Sequence, residues 1–170
     1  MMVKRQSFMI ENSLVQKMIN YKLIEHERCE DAPFMGALIA ACDCKFNCLN
    51  CFNQHIKMLS VISKSCKDIV DEIKSNLFNK GIIFAGLEWT LQIDECIALA
   101  KVAKSNGLQT MIYTGYEFKQ SIVQRLVESE AFDYIKCGQY IETLKVANHI
   151  EYGVTLASSN QHIYKRGVDY

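Results

Sequence analysis

The sequence predicts the α/β class, a single domain of parallel βα units, and three observations carry that reading. Short β-branched apolar runs alternate with stretches of helical spacing. Each run ends in turn chemistry. The chain has 170 residues, about one domain's worth.

The elements follow in order. Residues 1–33 are polar and mixed and read as an N-terminal extension of unassigned role, ahead of a domain over 34–170. Leu14, Val15, Met18 and Ile19 lie at near-helical spacing and predict a short helix over 13–24. Phe34 to Cys42 is a continuous small-apolar run and predicts a strand buried on both faces. A cysteine-rich loop follows. Ser65 and Asp68 form the Ser-x-x-Asp signature of a helix start, and Ile69, Val70, Ile73, Leu77 and Phe78 make one apolar stripe behind it. Ile82 to Ala85 predicts the second strand. Asp94 is the expected cap of a helix from Glu95 to Ser105 that stops at Asn106-Gly107. Thr110 to Thr114 predicts the third strand. Phe118, Ile122, Val123, Leu126 and Val127 predict the third amphipathic helix, and Tyr134 to Cys137 the fourth strand. Weaker strands are expected near Tyr152–Leu156 and His162–Tyr164. Strand–helix repetition of this kind builds parallel sheets through right-handed crossovers. A closed eight-unit barrel takes about 250 residues, so the expected form is an incomplete TIM-like barrel. In such folds ligands gather at the carboxyl ends of the strands.

Composition removes several classes. Hydrophobic types make 49% of the chain and charged types 22%, as in a soluble globular protein. Lys plus Arg number 19 and Asp plus Glu 19, so the basic excess that phosphate binding needs is missing and nucleic acid is not the expected partner. The longest apolar run is nine residues, Phe34 to Cys42, against about 20 for a membrane helix. Residues 1–10 carry no apolar segment of a secretory signal, so the expected compartment is the cytoplasm. Eight cysteines in that compartment point to metal or catalysis, since disulfides are rare there.

Four of the eight fall in Cys42-Asp-Cys44-Lys-Phe-Asn-Cys48-Leu-Asn-Cys51. Cys44, Cys48 and Cys51 stand at C-x3-C-x2-C, directly after the first buried strand. Structural zinc takes four ligands, normally as two short pairs on either side of a longer loop, and no second pair follows. Ferredoxin-type clusters use other spacings of four thiolates. Three thiolates on a 4Fe-4S cluster leave one iron open, as catalytic metals do. Cys42 alternates with Ala40 and Leu38 on the strand and reads as packing. Cys29, Cys66, Cys96 and Cys137 are scattered on other elements and read as small buried hydrophobes.

This spacing, after the first strand of an incomplete barrel, resembles the radical S-adenosylmethionine enzymes. Gly86-Leu87-Glu88-Trp89 resembles the Gly-Gly-Glu/Asp-Pro loop with which that family holds the methionine part of S-adenosyl-L-methionine, with Leu87 in place of the second glycine and Trp89 in place of the proline. Cys51-Phe52-Asn53, the Tyr113-Thr114-Gly115 strand end and the Ser158-Ser159-Asn160-Gln161 tail resemble one branch, the activating proteins of anaerobic ribonucleoside-triphosphate reductases. The likeness runs from about Met35 to Tyr164.

The resemblance implies a 4Fe-4S cluster on Cys44, Cys48 and Cys51, with S-adenosyl-L-methionine on the fourth iron. It implies cofactor contacts from Gly86, Glu88, Thr114, Ser158 and Asn160. It implies a 5′-deoxyadenosyl radical that takes hydrogen from a backbone glycine of the reductase large subunit, and a low-potential electron donor such as flavodoxin. Two other readings stay open: a radical enzyme acting on a small molecule such as a deazaguanine precursor, for which Lys136 and Glu142 are the candidate charged groups, and a non-enzymatic iron–sulfur or zinc electron-transfer module using Cys42 as a fourth ligand.

Overall fold

A computed structural model describes residues 13–170. The central sheet has six strands. Its interior is four parallel strands: β3 (Gly36–Ala40), β5 (Gly81–Ala85), β6 (Gln109–Tyr113) and β7 (Tyr134–Cys137). Two antiparallel strands form the edges, β2 (Leu23–Arg28) beside β3 and β10 (His162–Lys165) beside β7. The α/β expectation therefore holds, as a mixed sheet that stays open. β1 (Met18–Tyr21) pairs with β4 (Ile62–Ser65), and β8 (Lys145–Glu151) with β9 (Val154–Ser158), as separate antiparallel ribbons.

The parallel strands are apolar because both their faces are covered. Every residue of β3, β5 and β7 is buried. The helices in the crossovers are α1 (Cys66–Ser75), α2 (Ile93–Ser105) and α3 (Ser121–Glu128). Each crossover steps one strand along the sheet in the same direction. Right-handed connections of one sense put their helices on one face, which leaves the strand ends free to build a site. Ser65 Oγ accepts from the Asp68 N–H (3.1 Å) and so opens α1 as the sequence predicts. Ile69, Val70 and Ile73 of that helix are buried, and Asn106-Gly107 ends α2, with Gly107 at φ +78°.

Several expectations need correction. The helix expected over 13–24 is one turn at residues 13–15, followed by β1 and β2. Ile19 and Tyr21 are buried while Met18 and Asn20 are exposed, so the period there is two. Residues 18–28 thus belong to the sheets, by pairing with β4 and β3. Leu77 and Phe78 lie beyond the end of α1 and are exposed, because the chain leaves the helix at Asn76. Asp94 does not cap α2: the helix starts at Ile93, and Asp94 pairs with Arg125 from its first turn. Cys29 is exposed, whereas Cys66, Cys96 and Cys137 are buried. Residues 1–10, where the sequence shows no secretory signal, lie outside the described residues. Among the described residues no helix is long and apolar enough to cross a membrane.

Candidate functional site

The four parallel strands end at Ala40, Ala85, Tyr113 and Cys137, and the segments that follow them meet in one cleft of about 550 Å³. That is within the usual range for small-molecule sites. Cys44, Cys48 and Cys51 come from the first loop, Gly86 and Glu88 from the second, Thr114 and Gly115 from the third, and Gly138 to Tyr140 from the fourth. Lys145, Val146 and residues 155–157 of the β8–β9 ribbon add a further wall.

The cysteine loop is irregular and is fixed by contacts to its neighbours. Glu88 N–H donates to the Asp43 carbonyl (3.0 Å) and Lys57 Nζ to the Cys44 carbonyl (2.8 Å). Phe46 stands edge-on to Tyr116 at 5.1 Å and covers Gly115, where a Cβ would come within 2.5 Å of its ring. A side chain at Gly115 would displace the Phe46 ring that folds over it. All three cysteines are half-buried. Burial raises the Cys44 thiol above its ordinary value. Gln139 Nε2 donates to Cys48 Sγ at 3.4 Å, the kind of contact that tunes a thiolate ligand. Three thiols on the wall of one open cleft are a donor set of the kind that holds an iron–sulfur cluster. Cys42 does not line the cleft; its N–H donates to Gln92 Oε1 (3.1 Å).

Glu88 is 3% exposed and held from four sides. Its Oε1 accepts from Thr90 N–H (3.1 Å), Thr90 Oγ1 (2.6 Å) and Thr114 Oγ1 (3.0 Å), and its Oε2 from Gly115 N–H (2.9 Å). A carboxylate has about four lone-pair sites, so the remaining capacity is on Oε2. Thr114 therefore serves the site by fixing Glu88. Gly86 has φ +80°, and a Cβ there would meet Ala40 Cβ at 2.7 Å, so both the turn and the close approach to β3 require glycine. Trp89 is fully buried, donates Nε1–H to the Ile39 carbonyl (3.0 Å) and packs edge-on to Phe84. It anchors this loop to β3.

Of the residues expected to touch a cofactor, Gly86, Glu88 and Thr114 line the cleft and Ser158 and Asn160 do not. Ser158 is fully buried behind the wall, and Asn160 Nδ2 donates to the Gln139 carbonyl (2.9 Å). In that tail the residue on the cleft is Gln161. It ties the tail to β7, with Nε2 donating to the Gly138 carbonyl (3.2 Å) and Oε1 accepting from Ala157 N–H (3.0 Å).

Lys136 also lines the cleft. It is buried on β7, donates to the Gly138 carbonyl (3.1 Å), and lies 5.3 Å from the Tyr113 ring centroid. Burial pushes its ammonium down from 10.5 to about 8, with Cys137, Glu88 and Cys48 working in the opposite direction. Its signal in the sequence is one charged residue inside an otherwise apolar strand. Cys66 and Cys137, by contrast, are pushed up to about 11 and about 12 by burial, as inert thiols are.

Among curated proteins none matches the chain. A family model described as a 4Fe-4S single cluster domain matches residues 35–164, from the start of β3 to within β10. That span holds the cysteine loop, the four parallel strands and every residue placed on the cleft wall. The chain belongs to the 4Fe-4S single cluster domain family.

Proposed function

We propose that the chain is a radical S-adenosylmethionine enzyme that installs a glycyl radical on an anaerobic ribonucleoside-triphosphate reductase. The observation that carries this reading is convergence: three thiols, a fixed carboxylate and a buried ammonium share one cleft at the ends of four parallel strands. In this reading Cys44, Cys48 and Cys51 would hold three irons of a 4Fe-4S cluster and leave the fourth for S-adenosyl-L-methionine. Bound together, cluster and cofactor supply one-electron cleavage of a sulfonium–carbon bond and hence a 5′-deoxyadenosyl radical.

The chain's own residues bind and orient. Glu88 keeps one acceptor site on Oε2 for an N–H of the cofactor's amino group, and its four existing donors prevent it from turning away. Lys136 supplies the complementary cation for a carboxylate. Gly86 lets backbone approach the ligand closely. Gln139 adjusts the charge on Cys48 and with it the cluster potential.

The four-stranded parallel core with antiparallel edges fits an incomplete barrel whose open side admits a protein segment. Phe52, 91% exposed on the cleft rim, and Leu49, 69% exposed, offer apolar surface to such a partner. A small polar substrate needs convergent charges of its own. Glu88 and Lys136, the buried charged groups of the cleft, are both used by the cofactor in this reading, which favours a macromolecular substrate. A flavodoxin-like donor supplies the electron.

The test is electron paramagnetic resonance of the anaerobically reconstituted, chemically reduced protein, with and without S-adenosyl-L-methionine, followed by addition of the reductase. The expected result is a reduced-cluster signal that changes with the cofactor, then a glycyl radical on the reductase. A well-formed cluster signal indifferent to the cofactor would overturn the enzyme reading in favour of electron transfer. A cofactor response with no radical on the reductase would move the substrate to a small molecule.

A further inference from the structure

Away from the cleft, His149 and Glu151 of β8 and His162 of β10 bring ligand atoms within 4.8 Å of one another. His149 and Glu151 stand two residues apart on one strand and so share a face. His149 Nε2 is 3.0 Å and His162 Nδ1 2.8 Å from the same atom, Glu151 Oε1. The other end of two of these groups is already held. His149 Nδ1 faces the Ser158 carbonyl at 3.4 Å, and Glu151 Oε2 accepts from Ile163 N–H at 2.6 Å.

The protons decide what this arrangement is for. In the tautomer that puts Nδ1–H on the Ser158 carbonyl, the Nε2 lone pair of a neutral His149 faces Glu151 Oε1, which is repulsive. A cation between them converts that repulsion into ligation. The outer partners are those of ligated histidines, a backbone carbonyl fixing the tautomer and a backbone N–H fixing the carboxylate. Zinc at about 2.0–2.1 Å from each atom would set them about 3.3 Å apart, a small opening from the present spacing. Two imidazoles and one carboxylate suit zinc and its neighbours among divalent transition ions, whereas magnesium and calcium prefer all-oxygen sites. The His162 side chain is 51% exposed, so water has access to a fourth position.

We infer that His149, Glu151 and His162 form a second metal site, for a divalent transition ion of the zinc class, which fastens the β8–β9 ribbon to strand β10. The ribbon is paired within itself and is not part of the six-stranded sheet. It nevertheless supplies Lys145, Val146 and Thr155 to Ala157 of the cleft wall. Metal binding between β8 and β10 holds that wall in place without contributing to the cysteine centre.

The test uses the full chain carrying its cluster, so that the cysteines are occupied, freed of loosely held metal and titrated with zinc. Elemental analysis and calorimetry of wild type, Glu151→Gln, His162→Ala and the control His55→Ala are compared. The expected result is one zinc per chain in wild type and control, and a loss of zinc affinity greater than about 100-fold in the other two, since even removing outer partners of a metal costs roughly 10–100-fold. Iron content is unchanged throughout. Glu151→Gln keeps an acceptor for Ile163, which preserves the fold. Cobalt used as a probe is expected to give a visible spectrum without thiolate charge transfer. Zinc retained in His162→Ala, thiolate bands with cobalt, or no zinc bound by wild type would each overturn the assignment.

Discussion

Replacing Lys136 by Met removes a charge that the fold pays to bury. Lys136 is 7% exposed, in a strand whose four residues are all buried, and has no carboxylate within 4.0 Å among the described residues. Burial lowers its ammonium from 10.5 to about 8. At about 1.4 kcal/mol per unit, the charged form costs the folded state about 3 kcal/mol relative to the unfolded chain. The folded value lies below the unfolded one. Between about pH 8 and 10.5 the unfolded chain keeps a proton that the folded chain has released, so stability rises with pH through that window and the cost is fully present at pH 7. Met fills similar volume without charge. Lys136→Met is therefore expected to be more stable than wild type by up to about 3 kcal/mol at pH 7, or roughly 6–12 °C in Tm for a chain of this size, with the difference vanishing near pH 10.5. Urea denaturation of both proteins at pH 7, 8, 9 and 10 measures it, and taking the difference cancels thiols and tyrosines that titrate in the same range. A difference that is absent at pH 7 or independent of pH would refute the reasoning. The same variant is expected to bind S-adenosyl-L-methionine more weakly, because stability given up at one buried cation is characteristic of a binding residue.

The remaining predictions concern the loops and the helix start. Cys48→Ala is expected to lose the cluster and Cys42→Ala to keep it, read as iron content and visible absorption after anaerobic reconstitution; an intact cluster in Cys48→Ala would exclude that residue as a ligand. Gly86→Ala combines a φ of +80° with a Cβ placed 2.7 Å from Ala40, and is expected to cost about 2–4 kcal/mol in denaturant unfolding. Ser65→Ala removes the acceptor for Asp68 N–H and is expected to cost about 1 kcal/mol with no change in iron content.

The central strands were legible because burial on both faces removes every polar residue but those with a task. β3 and β5 read directly from Phe34–Cys42 and Ile82–Ala85. The edges were not legible, for the opposite reason. β2 reads Leu-Ile-Glu-His-Glu-Arg, with Glu27 at φ +59° and a register shift between Glu25 and Arg28. Charges and a bulge of this kind blunt an exposed edge, and they also erase the apolar signal by which strands are found. β1 misled through a coincidence of spacing. Leu14, Val15, Met18 and Ile19 satisfy a helical period, but the buried pair in the strand is Ile19 and Tyr21, and the partner that settles the matter, β4, lies more than forty residues away.

The candidate site divides along the same line. The cysteine spacing is local, so three residues in one loop could be read together. Gly86 and Glu88 were legible because they directly follow a strand that was itself legible. Lys136 could be named from the sequence as a charged group at the fourth strand end, but its burial, like the meeting of His149, Glu151 and His162, depends on pairing between distant strands. Lys136 is distinguished by its burial, and burial follows from β7 lying between β6 and β10. His149 and Glu151 stand on β8, a strand mostly too polar to be noticed, and meet His162 only because Glu151 reaches the edge of β10. Polar residues retained at such distance-dependent meetings carry a desolvation cost that packing alone does not require. The cost is concentrated at two places, the wall of the cleft and the seam that joins the β8–β9 ribbon to the sheet, and each is a place where an ion or a charged ligand would offset it.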